Sequence, residues 1–108
     1  MAINLVASTT LAGTNGGTSS AVDTTGANLL VLSAAYFSTI TVSDSKGNTW
    51  VPLTVRGSGP IHQLFFVASP VVGTGHTFTV TGTGIYVGVV VHAYNGSGGP
   101  PTFQLMSY

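Results

Sequence analysis

Cysteine is missing from the 108 residues, and glutamate with it. The first absence removes disulfides, thiol catalysis and thiolate-bound zinc, so packing and hydrogen bonds must hold the fold without covalent help. Charge is almost missing too: Asp23, Asp44, Lys46 and Arg56 are the only charged side chains, and they sum to zero. Phosphate backbones are gripped by several Lys and Arg at once, so nucleic acid is not an expected partner. No run approaches the ~20 apolar residues of a membrane helix, so no membrane insertion is expected. The start, Met1-Ala2-Ile3-Asn4-Leu5-Val6, lacks the positive n-region and apolar core of a signal peptide, so the chain is read as made in a cytoplasm as it stands.

What is present is a β composition. Thr (16), Ser (11), Gly (15) and Val (14) dominate, a β-branched and turn-rich mixture that disfavours long helices. At 44% hydrophobic residues the chain can bury one core, and its length is that of one domain. With net charge near zero, copies repel one another weakly, which points to a homo-oligomer or a subunit of a larger assembly.

Period-2 alternation and turn clusters divide the chain into about eight strands. The first covers residues 3–8. The polar stretch 14–20 is a loop or an edge too glycine-rich to hold register, and Ala21-Val22 can start a short strand. Residues 28–37 are nearly continuously apolar, the pattern of a central strand buried on both faces. Residues 39–43 alternate. Asp44-Ser45-Lys46-Gly47-Asn48 is a turn by its Asp, Ser and Gly chemistry, read as a hairpin returning along residues 49–56, where Pro52 implies an edge or a bulge. Further strands fall on 61–68, 75–81 and 85–94. In the last, Ile85, Val87, Val89, Val91 and Ala93 share one face, and Tyr86, Val90, His92 and Tyr94 lie on the other, expected as a buried contact. The sum is an all-β chain: two packed antiparallel sheets, an Ig-like or jelly-roll β-sandwich. It occupies residues 1–94. Residues 95–108 follow as a Gly/Pro linker and an apolar arm carrying Phe103, Leu105, Met106 and Tyr108, which needs a surface to dock on in its own chain or a neighbour's.

Chemistry is sparse in this sequence. His62, His76 and His92 are 14 and 16 residues apart, spacings that match no compact ligand motif, so no metal or other cofactor is expected and a histidine satisfied within the core is the better reading. There is no Gly-x-Ser-x-Gly elbow and no carboxylate pair suited to acid/base work, so the chain is read as no enzyme. Asp44 with Asn48 is too poor in oxygen ligands for calcium and reads as a turn. Sugar binding needs aromatic faces beside hydrogen-bonding groups. Trp50, Tyr86, His92 and Tyr94 are the candidates for a glycan or partner contact, although a lone Trp in a small sandwich is more often a core anchor.

Four segments in order carry a family resemblance. They are Asp23-Thr24-Thr25-Gly26-Ala27-Asn28-Leu29-Leu30-Val31, Val42-Ser43-Asp44-Ser45-Lys46-Gly47-Asn48-Thr49-Trp50, Val72-Gly73-Thr74-Gly75-His76-Thr77-Phe78-Thr79-Val80 and Ala93-Tyr94-Asn95-Gly96. Together they resemble a β-sandwich module that recurs in phage structural proteins and in phage-derived or secreted bacterial proteins, often beside lectin-like or fibre domains. The resemblance spans most of residues 20–97, and a short aromatic tail stands where that pattern continues into another domain. It implies a virion-associated or surface-adhesion role, as in a capsid-decoration or fibre-type subunit, with virion proteins or copies of itself as partners and no catalytic residues to carry over. The expected location is the virion, assembled in a host cytoplasm. The alternative is an extracellular carbohydrate-binding module or lectin.

Overall fold

The fold is seen in a computed structural model, which describes residues 3–36, 39–55 and 61–96. Six strands follow one another: β1 (Ile3–Thr18), β2 (Leu29–Tyr36), β3 (Thr39–Asp44), β4 (Val51–Pro52), β5 (Ile61–Ala68) and β6 (Phe78–Gly96). All pairings are antiparallel. β1 and β6 run alongside each other for their whole lengths and serve both sheets, so the six strands supply eight strand segments, five in one sheet and three in the other. The chain is an all-β sandwich.

The five-stranded sheet has the order β1-β6-β2-β5-β4, built on the second half of β6. The first half of β6 pairs with β3 on one side and with the end of β1 on the other, which makes the three-stranded sheet. The register between β1 and β6 shifts at Leu11/Gly13 and again at Thr14/Gly16, where extra residues on β6 bend both strands from one sheet into the next. The sequence pattern divides this region into two strands, 75–81 and 85–94. In the fold the Gly-rich interval between them stays in the ladder as part of one strand. Likewise, the Gly-rich stretch after Leu11 stays strand as far as Thr18, an edge with shifted register.

Between the sheets lies one core. Leu30, Leu32, Ala34 and Tyr36 of β2, Phe65 and Val67 of β5, and Val89, Val91 and Ala93 of β6 meet Phe78 and Val80 from the other sheet. Ile40 and Val42 pack against it from β3, and Trp50 from the segment before β4. A register shift between Leu5 and Ala7 lets the adjacent Val6 and Ala7 both pack on this core, while Leu5 is left 57% exposed. Truncating Leu30 or Leu32, each without exposed surface, removes contacts on all sides and costs about 2–5 kcal/mol.

Several expectations are corrected. The turn after β3 forms, with Gly47 at φ 77°, but it does not close a hairpin. β3 pairs with β6 in the small sheet and β4 with β5 in the large one, so the turn is an arch between sheets. The return strand shrinks to Val51–Pro52, because proline has no N–H to continue the ladder. β2 is central as expected, but of the second face expected to be buried only Leu29 is: Val31 and Ala35 are half-buried and Ser33 is exposed. Residues 21–22 contribute only the bridge Val22↔His76. β6 runs two residues past the expected domain edge at 94: Asn28 accepts the Gly96 N–H at 2.9 Å and donates from Nδ2 to the Gly96 carbonyl at 3.1 Å.

Candidate functional site

At one end of the sandwich, three connections converge on His76. Alternation in residues 75–81 points His76, Phe78 and Val80 inward, and all three are buried. The imidazole of His76 stacks on Phe78 with ring centroids 4.4 Å apart. Its backbone is clamped to Val22, N–H to carbonyl in both directions, at 2.9 and 3.0 Å. Burial of so polar a ring is tolerable only if both nitrogens are satisfied.

Both are. Nε2 lies 2.6 Å from Asp44 Oδ2, and Nδ1 lies 2.7 Å from Thr24 Oγ1. The side chains of His76 and Asp44 have no exposed surface, and Thr24 has none either. An ionised carboxylate only accepts, so Nε2 carries a hydrogen and donates to Asp44; in the neutral ring Nδ1 then accepts from the Thr24 hydroxyl. Thr24 Oγ1 accepts the N–H of Gly73 at 3.2 Å and has the Gly73 carbonyl at 3.3 Å as a second place to donate. Asn48 completes Asp44: its N–H donates to Oδ1 at 2.8 Å and its Nδ2 to Oδ2 at 2.6 Å. The same Asn48 side chain bonds the backbone of Val71, accepting its N–H at 2.7 Å and donating to its carbonyl at 2.9 Å.

Hydroxyl, imidazole and carboxylate in series are the groups of a nucleophile relay. Here the hydroxyl is sealed in the core, and no cavity opens among the described residues. What the series does is join the β1–β2 connection (Thr24), the turn after β3 (Asp44, Asn48) and the β5–β6 connection (Gly73, His76) into one unit. The network does the work of the missing disulfides. The satisfied core histidine expected from the sequence is His76. Its partners were missed: Thr24 and Asp44 are distant along the chain, and nothing in the local pattern marks them.

Nearby, Asp23 is exposed and accepts the hydroxyl and the backbone N–H of Thr25, which lower the pKa of its carboxyl, the hydroxyl most. At the other end of β2, Tyr36 donates to Gln63 Oε1, and burial pushes its phenol up from the usual value near 10.

Among the described side chains, Trp50 does not gather with His92 and Tyr94. Trp50 meets the core, edge-on to Phe78 at 6.0 Å, and its buried Nε1 has no partner. His92 and Tyr94 are half-buried on the outer face of the five-stranded sheet, rings 5.8 Å apart, on the side away from Trp50. The backbone of Tyr86 pairs with Tyr36 and Gly13, and its side chain lies outside the described residues. Phe103, Leu105, Met106 and Tyr108 also lie outside the described residues. His62 is exposed on β5 opposite Ala35, so the three histidines stay apart.

The surface offers another feature. β1 is the edge strand of both sheets, and its 16 residues contain no charge and no proline. Its outer edge is unpaired among the described residues. Between the shifts at Leu5/Ala7 and Leu11/Gly13, the run Ala7-Ser8-Thr9-Thr10-Leu11 keeps regular register. Edges of this kind are templates for another strand, and most proteins blunt them with Lys, Pro or a bulge.

Compared with known proteins, the chain matches no family model, no curated protein and no solved structure.

Proposed function

We propose that the chain is a non-enzymatic structural subunit that assembles with copies of itself through the outer edge of β1, as a capsid-decoration or fibre-type module of a virion. The observation that carries the assembly is the uncharged, regular edge of Ala7-Ser8-Thr9-Thr10-Leu11. Two copies related by a two-fold axis would pair this run antiparallel and continue one sheet into the next, with backbone hydrogen bonds supplying the contact. Exposed Leu5 beside the edge, and a surface almost without charge, favour the same outcome. The virion setting comes from the family resemblance alone.

Light scattering tests it. The parent chain is expected to have the mass of a defined oligomer, and a Ser8→Lys, Thr10→Lys double variant, charged at two exposed edge positions, the mass of a monomer. A parent that stays monomeric at high concentration overturns the proposal. For the carbohydrate reading the described aromatic pair is His92–Tyr94, since Trp50 packs against the core; glycan binding abolished by Tyr94→Ala would move the assignment there.

A further inference from the structure

Self-assembly at the β1 edge makes no use of the buried His76, and the hydrogen bonds around this ring fit two protonation states rather than one. With the ring neutral, Nε2–H donates to Asp44 Oδ2 at 2.6 Å, Nδ1 accepts the Thr24 hydroxyl at 2.7 Å, and Thr24 Oγ1 accepts the Gly73 N–H at 3.2 Å. The second state needs no displacement of heavy atoms. When a proton joins Nδ1, the ring donates to Thr24 Oγ1 across the same 2.7 Å, and the hydroxyl hydrogen turns to the Gly73 carbonyl, 3.3 Å away. A hydroxyl has one hydrogen and two lone pairs. Nδ1–H and the Gly73 N–H then fill both lone pairs, and the Gly73 carbonyl receives the hydrogen.

Charge balance favours that second state. A neutral ring leaves the Asp44 carboxylate, whose side chain has no exposed surface, as a net negative charge eased by hydrogen bonds from Asn48 and the ring. A charged ring cancels it at 2.6 Å, and buried charges persist where they are paired and hydrogen-bonded. No other titratable group among the described residues competes for the ring. On the turn after β3, Lys46 has its amine against Gly73. On the β1–β2 connection, Asp23 is exposed and bonds Thr25. Residues 69–75 contain no titratable side chain. From β6 the ring meets the face of Phe78, and the segment before β4 brings Trp50 against Phe78.

We propose that His76 takes up a proton in place, with Thr24, His76 and Asp44 acting as a latch whose Thr24 hydroxyl turns between Nδ1 and the Gly73 carbonyl. Solvent supplies the proton, the new bond is Nδ1–H, and the hydroxyl keeps its own hydrogen. The three connections stay joined in both states. In the charged one the bond from Nε2 to Asp44 is charge-assisted, the stronger kind. The latch is independent of pairing at the β1 edge.

Nitrogen NMR of the ring and a pH series of Thr24 variants test this, in a full chain carrying His62→Gln and His92→Gln so that His76 is the sole imidazole. The range from pH 8.5 to 5 spans the ordinary imidazole value of about 6.5 and stays above the ordinary carboxylate value of about 3.9. At pH 8.5, hydrogen is expected on Nε2 and none on Nδ1. At pH 5 both nitrogens should carry hydrogen while the amide spectrum of the core strands is unchanged. Thr24→Val removes the donor to bare Nδ1 and also the acceptor for Nδ1–H, and a hydrogen bond to a charged group is the stronger of the two. Its folding equilibrium constant, from urea unfolding, should therefore fall about fivefold more at pH 5 than at pH 8.5, each relative to the parent. Thr24→Ser keeps the hydroxyl and should lose the same factor at both pH values. A ring that stays bare at Nδ1 in the folded chain at pH 5 overturns the proposal, as does one that gains its second hydrogen only on unfolding. So does a Thr24→Val loss of equal factor at both pH values, the signature of a hydroxyl that serves one protonation state alone. Should Thr24→Val not fold, the ring spectra of the parent decide.

Discussion

His76 shows how much one side chain can hold in a chain without disulfides. Replacing it by Ala opens a cavity against Phe78 and leaves the buried Asp44 carboxylate with only Asn48, a loss of about 3–5 kcal/mol in denaturant unfolding. Thr24→Val keeps the shape but removes the hydroxyl at Nδ1 and should cost about 1–3 kcal/mol. In a double-mutant cycle the Thr24 and Asp44 variants should couple, because both act on the same ring. Tyr36 gives a pH signature. Burial raises its pKa, so the unfolded chain ionises first; the stability this group contributes is intact below pH ~10 and is lost as the pH rises through the folded-state value. Thermal midpoints from pH 8 to 11.5 should fall at the alkaline end in the parent and less in Tyr36→Phe. The inward position of His76 is legible in the alternation of residues 75–81. Its partners are not, because which loop meets which depends on the order of strands rather than on any local pattern.

At the scale of elements, most strands were readable and their connections were not. Residues 28–37 and 61–68 announce strands by continuous or alternating apolar residues, and Phe65 and Phe66 do fall on opposite faces. The turn 44–48 has the chemistry of a hairpin, yet that chemistry fixes only the local reversal. Asp44 caps Asn48 and Gly47 takes its positive φ whether the next strand pairs back or crosses to the other sheet. A Gly47→Ala variant tests the turn itself. Open space surrounds a Cβ there, so only backbone strain is added, about 1–2 kcal/mol in unfolding free energy. The two long strands were hidden for a related reason: glycines that read as loops also permit bulges within a ladder. The apolar second face of β2 was legible as apolar, but the sequence assigned it to a core. Only Leu29 of that face is buried, and Val31, Ser33 and Ala35 lie on the outer side of the sheet.

For the whole molecule, fold and function were not equally legible. Composition and period are enough for a two-sheet sandwich, because burying one side of each strand is a demand the whole sequence must meet. Function rests on surfaces, and a surface of threonine, serine and glycine carries few marks. The mark it has is an edge without charge. Amide hydrogen exchange along β1 addresses it most directly. In a strand paired on one side, amides alternate between the partner and solvent, so within residues 7–11 every second amide exchanges fast in a monomer. Pairing of β1 between copies predicts that these fast amides slow by at least tenfold as protein concentration rises, while the rest of the pattern holds. Fast exchange at those positions at every concentration, in a sample shown by its mass to be assembled, would contradict the account.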